Sequence, residues 1–203
     1  TSVDLDYQRL AENMARQQVS ALKASKNMNN AAVVILRPST GEILAMVGSV
    51  NYDDESIDGQ VNMTNSPRQP GSAMKPFTYA SAMEQGWTAA NVIWDTQINI
   101  DIPGSGTYSP VNYDGAFHGP VRVRDALANS YNIPAVQTLR KVGLEYFIWM
   151  MNRVGVSSLS DPSNYGLSLT LGGGEVTPLE LTTAFATLAN GGVYVPNTGI
   201  VCA

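Results

Sequence analysis

In the stretch RQPGSAMKPFTYASAMEQG, residues 68–86, Ser72 is followed three positions later by Lys75, and the only other charges are Arg68 and Glu84. A serine hydroxyl attacks as a nucleophile when a base takes its proton, and a lysine amine becomes such a base when desolvation lowers its pKa. Pro76 lacks a backbone N–H and clashes with the carbonyl four residues back, so a helix through it must begin near Ser72. Gly71 and Pro70 suit a sharp entry, and a serine there holds its hydroxyl at the positive end of the helix. Lys75 then lies one turn on, on the same face. Met74, Phe77, Tyr79, Ala80, Ala82 and Met83 make most sides of this helix apolar, which predicts a buried element and a partly desolvated ammonium. The structural alternative is an N-cap serine followed by a lysine that snorkels to the surface.

A third group is supplied by Ser130-Tyr131-Asn132 in RDALANSYNIP, between two expected helices. On local grounds alone Asn132 could be an N-cap before Ile133-Pro134, and Ser130 the end of the preceding helix. Both short patterns have decoys in the same chain. Ser20-Ala21-Leu22-Lys23 repeats the first spacing inside a charged amphipathic helix without a Gly/Pro entry, and Ser49-Val50-Asn51 repeats the second. Spacing by itself is therefore a weak signal, and the surroundings must decide.

The elements that would position these groups follow from periodicity. Leu10, Met14, Ala21 and Leu22 at helical spacing predict an amphipathic helix over 6–26 that covers one face of a sheet. Two β-rich runs, 32–36 and 42–47, flank Pro38-Ser39-Thr40-Gly41 and predict an antiparallel hairpin. Helices are expected over 72–85, 121–130, 134–142 and 145–154, each of the first, third and fourth ending at a glycine. A last helix over 178–190 has Thr177 as N-cap, Pro178 at its first position and Glu180 completing a capping box. Residues 91–120, rich in Gly, Pro, Asp and Tyr, are expected to form a surface excursion that borders a site. No internal repeat or low-complexity segment is present.

With 203 residues, 44% hydrophobic and 14% charged, the chain can bury a core of its own. A net charge of −5 without a Lys/Arg cluster argues against a nucleic-acid partner. Apolar runs such as 31–36 are too short to span a bilayer, so any membrane anchor would lie outside these residues. Cys202 and His118 are each the single residue of their type, which excludes an internal disulfide and gives no metal-ligand spacing. No cofactor and no metal are expected.

Ser72-x-x-Lys75 and Ser130-x-Asn132 together resemble the transpeptidase domain of penicillin-binding proteins, whose Ser-x-x-Lys and Ser-x-Asn elements share one active site. Three longer stretches are similar, in the same order, to the class A, bifunctional type of that family: RQPGSAMKPFTYASAMEQG, YSPVNYDGAFHGPVRVRDALANSYNIPAVQTLRKVG and LGGGEVTPLELTTAFATLANGGVYVP. The opening TSVDLDYQRLAE also looks like that family's domain entry. The resemblance implies an α+β fold, an antiparallel sheet flanked by helices plus a helical subdomain. Residues 1–203 would be the N-terminal and central part of one transpeptidase domain, with helix and first hairpin in 1–50 and the mainly helical part in 68–203.

The resemblance further implies that Ser72 is the acylated nucleophile, Lys75 its activating base, Ser130 a proton relay toward the leaving group and Asn132 a ligand of the substrate's peptide backbone. The implied donor is the D-Ala-D-Ala end of a peptidoglycan stem peptide. Its acyl group would pass to the amine of a neighbouring stem peptide, and β-lactams would acylate the same serine. That places the chain in the bacterial cell envelope, outside the cytoplasmic membrane. The family's third element, Lys-Thr-Gly, is absent from these residues; Asn197-Thr198-Gly199 lacks the lysine. A companion polypeptide carrying the remaining strands is therefore expected. The alternatives are a D,D-carboxypeptidase, a serine β-lactamase, or a non-catalytic β-lactam sensor or scaffold. Glu175, in GGGEVTP, is read as a helix-dipole partner or cap and not as a deacylation base.

Overall fold

A computed structural model describes residues 1–102, 104 and 106–201; Cys202 lies outside them. The order of elements is α1 (Leu5–Lys26), β1 (Val33–Leu36), β2 (Ile43–Val47), α2 (Lys75–Glu84), β3 (Val92–Asp95), β4 (Ile100–Ile102), β5 (Gly106–Tyr108), β6 (Gly119–Arg122), α3 (Val123–Ala128), α4 (Asn132–Val142), α5 (Leu144–Arg153) and α6 (Pro178–Ala189). Among the described residues this is an α+β architecture with three antiparallel two-stranded sheets, β1–β2, β3–β6 and β4–β5. The chain divides into two compact units. One comprises Thr1–Arg68, Asn152–Ser158 and the residues from Glu175 onward, the other Gln69–Met151 and Leu159–Gly174.

In the first unit, Asp4 caps α1 by accepting from the backbone of Asp6 at 2.9 Å, and Asn27 closes the helix in the left-handed conformation. The buried face of α1 is Ala11, Ala15 and Val19, while Leu10 and Met14 are half exposed. This corrects the expected Leu10–Met14 stripe. Small side chains let the helix lie close on the sheet, where Ala11 meets Ala45 and Val47 with Val33 and Ile35 alongside. The hairpin has the expected polarity, with Val33 opposite Val47 and a register shift between Ile35 and Leu36. Thr198 lies beside β2 as a parallel bridge to Glu42.

The capping box at α6 forms as its residue pattern requires. Glu180 does more than close the box. Its carboxylate accepts from the backbone N–H and hydroxyl of Ser157 at 2.9 and 2.7 Å, from the backbone and hydroxyl of Ser158, and from Thr177. Burial opposes the charge, but these hydrogen bonds together hold its pKa down at about 2. Glu175, in contrast, is exposed and takes no part in the α6 cap. Glu180→Ala is expected to lower stability by about 2 kcal/mol, a fall in Tm of roughly 4–8 °C for a chain of this size. Because the folded pKa lies below the unfolded one, this contribution is complete above the ordinary value of 4.5 and fades as pH falls toward about 2. Calorimetry of parent and variant between pH 7 and 3 reads it, and an equal Tm at pH 7 would contradict the role.

The second unit is built around α2. Met74, Lys75, Phe77, Thr78, Tyr79, Ser81 and Ala82 are all buried, as the apolar surround of Lys75 requires. Gly71–Met74 form a 3-10 turn that runs directly into α2, so the helical path does begin beside Ser72, in the tighter form common at helix starts. Thr78 Oγ1 meets Thr170 Oγ1 at 2.7 Å, tying α2 to the 3-10 turn Leu167–Leu171. Tyr79, Ile93, Val123, Ala126 and Ala135 form one core cluster.

Residues 91–120 are not the structureless excursion that their composition suggests. They hold β3, β4, β5 and the start of β6, with Val92 opposite Arg122 and Trp94 opposite Pro120. These strands are three or four residues long, too short for alternation to stand out, and Pro120 is tolerated because the ribbon has only two strands. Pairing as β6 also removes 121–122 from the expected helix, so α3 begins at Val123.

Candidate active site

Every residue of the candidate site belongs to the second unit. Ser72 is exposed and lies in the 3-10 turn before α2. It lines a cavity of about 370 Å³ together with Gly71, Tyr113, Ser130, Asn132 and Leu171. One turn along, Lys75 is 1% exposed. Its Nζ donates to the carbonyl oxygen of Ser130 at 2.5 Å, to Ser130 Oγ at 3.0 Å and to Asn132 Oδ1 at 2.7 Å. An ammonium has three protons to give, and all three are committed.

The structure thus brings Ser72, Lys75, Ser130 and Asn132 to one place across 60 residues of chain. The two helices that flank the Ser-x-Asn turn differ from the sequence expectation in a way that matters. Asn132 is the first residue of α4, not its N-cap; Tyr131 occupies the cap and contributes no side-chain hydrogen bond. Pro134, in the first turn, therefore displaces no helix hydrogen bond. Ser130 has φ 55°, the left-handed region that a serine seldom adopts. That backbone turn points its carbonyl at Nζ and leaves its hydroxyl at the cavity. Asn132 is fixed on both sides of its amide, since Oδ1 accepts from Lys75 while Nδ2 donates to the Val111 carbonyl at 2.8 Å.

Burial lowers the pKa of Lys75 from 10.5 to about 8. The physical reason is that the packed side chains around Nζ exclude the bulk water that would otherwise stabilise the cation, a loss its hydrogen bonds to protein oxygens only partly offset. On losing one proton the amine keeps two donors for the Ser130 carbonyl and Asn132 Oδ1, and gains a lone pair that can accept from a hydroxyl. Two serine hydroxyls border the cavity, those of Ser72 and Ser130, and the second lies 3.0 Å from Nζ. A neutral amine here can take a proton from a hydroxyl that reaches it and return it to another, which is the requirement for making a serine nucleophilic.

The decoys supply an internal control. Ser20, Lys23, Ser49 and Asn51 all line a larger cavity, of about 950 Å³, in the first unit. Yet Ser20 and Lys23 are exposed, and the hydroxyl of Ser49 donates to the Gly59 carbonyl. The same residue types at the same spacing thus lack the buried amine. Among the described residues no group of three His, Cys, Asp or Glu side chains gathers as a metal site.

One contributor was not legible as such in the sequence. Gly172, at φ +91°, packs so closely on Gly71 that a Cβ there would lie 2.2 Å from the Gly71 nitrogen. The backbone at Gly172 is thereby pressed against the turn that presents Ser72. Gly172→Ala is expected to displace that turn and to lower the rate of serine acylation by ~10²-fold, the cost of a displacement of about 1 Å at a reacting group. Stopped-flow modification by a serine-directed acylating reagent reads it; a parental rate in the variant would remove Gly172 from the positioning of Ser72.

Residues 31–199 match the family profile described as the penicillin binding protein transpeptidase domain. Penicillin-binding protein 1A of Neisseria meningitidis is 36% identical over 168 residues, 81% of this chain and 20% of that protein. Penicillin-binding protein 1C of Escherichia coli is 33% identical over 194 residues, 95% of this chain and 24% of that protein. The crystal structure of penicillin-binding protein 1A from Haemophilus influenzae superposes with a TM-score of 0.75 at 34% identity, over 83% of this chain and 24% of that one. The chain thus spans about a fifth to a quarter of the length of these relatives.

Proposed function

Because the chain belongs to the penicillin-binding protein transpeptidase family, we propose that it acts as a D,D-transpeptidase through an acyl-enzyme on Ser72, with peptidoglycan stem peptides as donor and acceptor. The observation that carries this reading is the buried Lys75, whose amine meets Ser130 and Asn132 one helical turn from Ser72.

In the proposed reaction, neutral Lys75 takes the Ser72 hydroxyl proton as Oγ attacks the carbonyl of the penultimate D-alanine. The backbone N–H of Ser72, at the positive end of the 3-10 turn and α2, helps hold the oxyanion. Collapse of the tetrahedral intermediate breaks the D-Ala-D-Ala bond. Ser130 passes the proton from Lys75 to the departing amine, and D-alanine leaves. Asn132 has one Nδ2 hydrogen beyond that given to Val111, and it serves the donor's backbone carbonyl. An acceptor amine then attacks the ester and restores the Ser72 hydroxyl. With water in its place the product is that of a carboxypeptidase.

β-Lactams acylate the same oxygen and leave slowly in this reading. Among the described residues, those that line the Ser72 cavity are Gly, Ser, Tyr, Asn and Leu. The site of action is the outer side of the cytoplasmic membrane, where the substrate lies. No helix among the described residues is long and apolar enough to cross a membrane. These residues contain no Lys-Thr-Gly.

The test is release of D-alanine from a peptide or thioester ending in D-Ala-D-Ala, by the protein with its native flanking sequence, with and without a D-amino acid as acceptor. Release that partitions to the amine product supports the proposal. A folded protein that binds the peptide and releases nothing would make it a sensor or scaffold.

A further inference from the structure

We propose that Asn112 is a positioning residue for this site, holding the Ser130–Asn132 turn in register with Lys75 by means of a buried carboxylate, Asp95; the proposal rests on the reading of Ser72 as nucleophile. α4 begins without a side-chain cap of its own. Its first two backbone N–H groups, of Asn132 and Ile133, donate to Asn112 Oδ1 at 2.8 and 3.3 Å, from a residue twenty positions upstream. Asn112 is 3% exposed.

The chemistry of its partners sets the amide's orientation. Nδ2 donates to both oxygens of Asp95, at 2.9 and 2.8 Å, and to the Ala116 carbonyl at 2.8 Å. Those three oxygens only accept, so the nitrogen must face them and the oxygen must face α4. Asp95, fully buried at the end of β3, also accepts from the backbone N–H of His118 at 3.1 Å and meets the ring Nδ1 at 2.6 Å. The His118 ring stacks on Tyr131, with centroids 4.0 Å apart and planes 16° from parallel. Tyr131 is the residue between Ser130 and Asn132. The neighbouring Val111 carbonyl fixes the side chain of Asn132.

Backbone, side chain and central ring of the Ser-x-Asn turn are therefore all held from one short segment. A buried carboxylate is a costly way to cap a helix, and a serine or aspartate at the cap position would suffice for that alone. What the relay adds is placement: the amide that receives Lys75 is located relative to β3 and β6, not by α4 itself.

The test uses the parent, Asn112→Ala, Asn132→Ala and the double variant, each acylated by a β-lactam well below its Tm. Asn112→Ala is expected to lower the acylation rate constant by ~10- to 100-fold. The double variant should then lie within about threefold of Asn132→Ala, because Asn112 acts through that turn. Asp95→Asn, which keeps the shape but turns an N–H toward Asn112 or His118, should move the rate in the same direction. Hydrogen exchange at the Asn132 and Ile133 amides reads the positioning without any chemistry, and protection should fall in Asn112→Ala. A parental acylation rate in Asn112→Ala, a double variant equal to the product of the singles, or unchanged amide protection would each overturn the proposal. A parent that fails to acylate would sink the nucleophile reading, while the exchange data would still decide whether Asn112 holds the turn.

Discussion

Ser72→Ala is expected to abolish D-alanine release, a loss on the order of 10⁶-fold in kcat, as removal of the nucleophile costs in other serine acyl-enzymes. The size follows from the chemistry, since no acyl-enzyme can form without Oγ. Stability should hardly change. Ser72 is exposed at the cavity edge, and surface substitutions of this kind usually stay within about 0.5 kcal/mol. The pairing of total inactivity with an unchanged Tm is what separates a nucleophile from a residue that only shapes the turn. Measured release and thermal unfolding on one preparation provide both numbers, and a Tm fall with residual turnover would favour the structural role.

Lys75→Met should lower the acylation rate by ~10²- to 10⁴-fold, the usual range for a positioned general base, and should also change the shape of the pH profile. In the parent the rate is expected to rise with pH as the ammonium loses its proton and to level off above about 8. Methionine holds no proton, so that rise should vanish in the variant. The same depressed pKa has a consequence for stability. The unfolded chain binds the proton up to its ordinary value of 10.5 and the folded one only to about 8, so stability attributable to this group increases as pH goes from 8 to 10.5. Denaturant unfolding at pH 7.5 and 9.5 should show this increase in the parent and not in Lys75→Met. A flat acylation profile in the parent between pH 6.5 and 9 would contradict the role of Lys75 as base.

Which elements were legible in the residues depends on the kind of signal. The start of α2 was legible because Pro76 and Gly71 leave few places for a helix to begin, and α6 because Thr177, Pro178 and Glu180 form a complete cap. The inner face of α1 was not, because Ala11 and Ala15 bury by being small, and hydrophobic size favours Leu10 and Met14. β3 and β6 escaped notice because four-residue strands barely show alternation. Residue type likewise gives no warning that Ser130 will take a left-handed backbone conformation, which arises from the surrounding turn. The buried state of Lys75 followed from its apolar neighbours along the helix; its acceptors, fifty-five and fifty-seven positions away, did not. The close approach of Gly172 to Gly71 joins segments a hundred residues apart and is visible only once the chain is folded.

The most direct measurement is intact-mass spectrometry of the protein with its native flanking sequence after incubation with a penicillin, followed by peptide mapping, beside Ser72→Ala. Opening of the β-lactam ring expels nothing, so the expected result is a gain equal to the whole antibiotic, on the peptide that contains Ser72, in the parent alone. An unmodified parent that is folded, or an adduct that persists in Ser72→Ala, would contradict it.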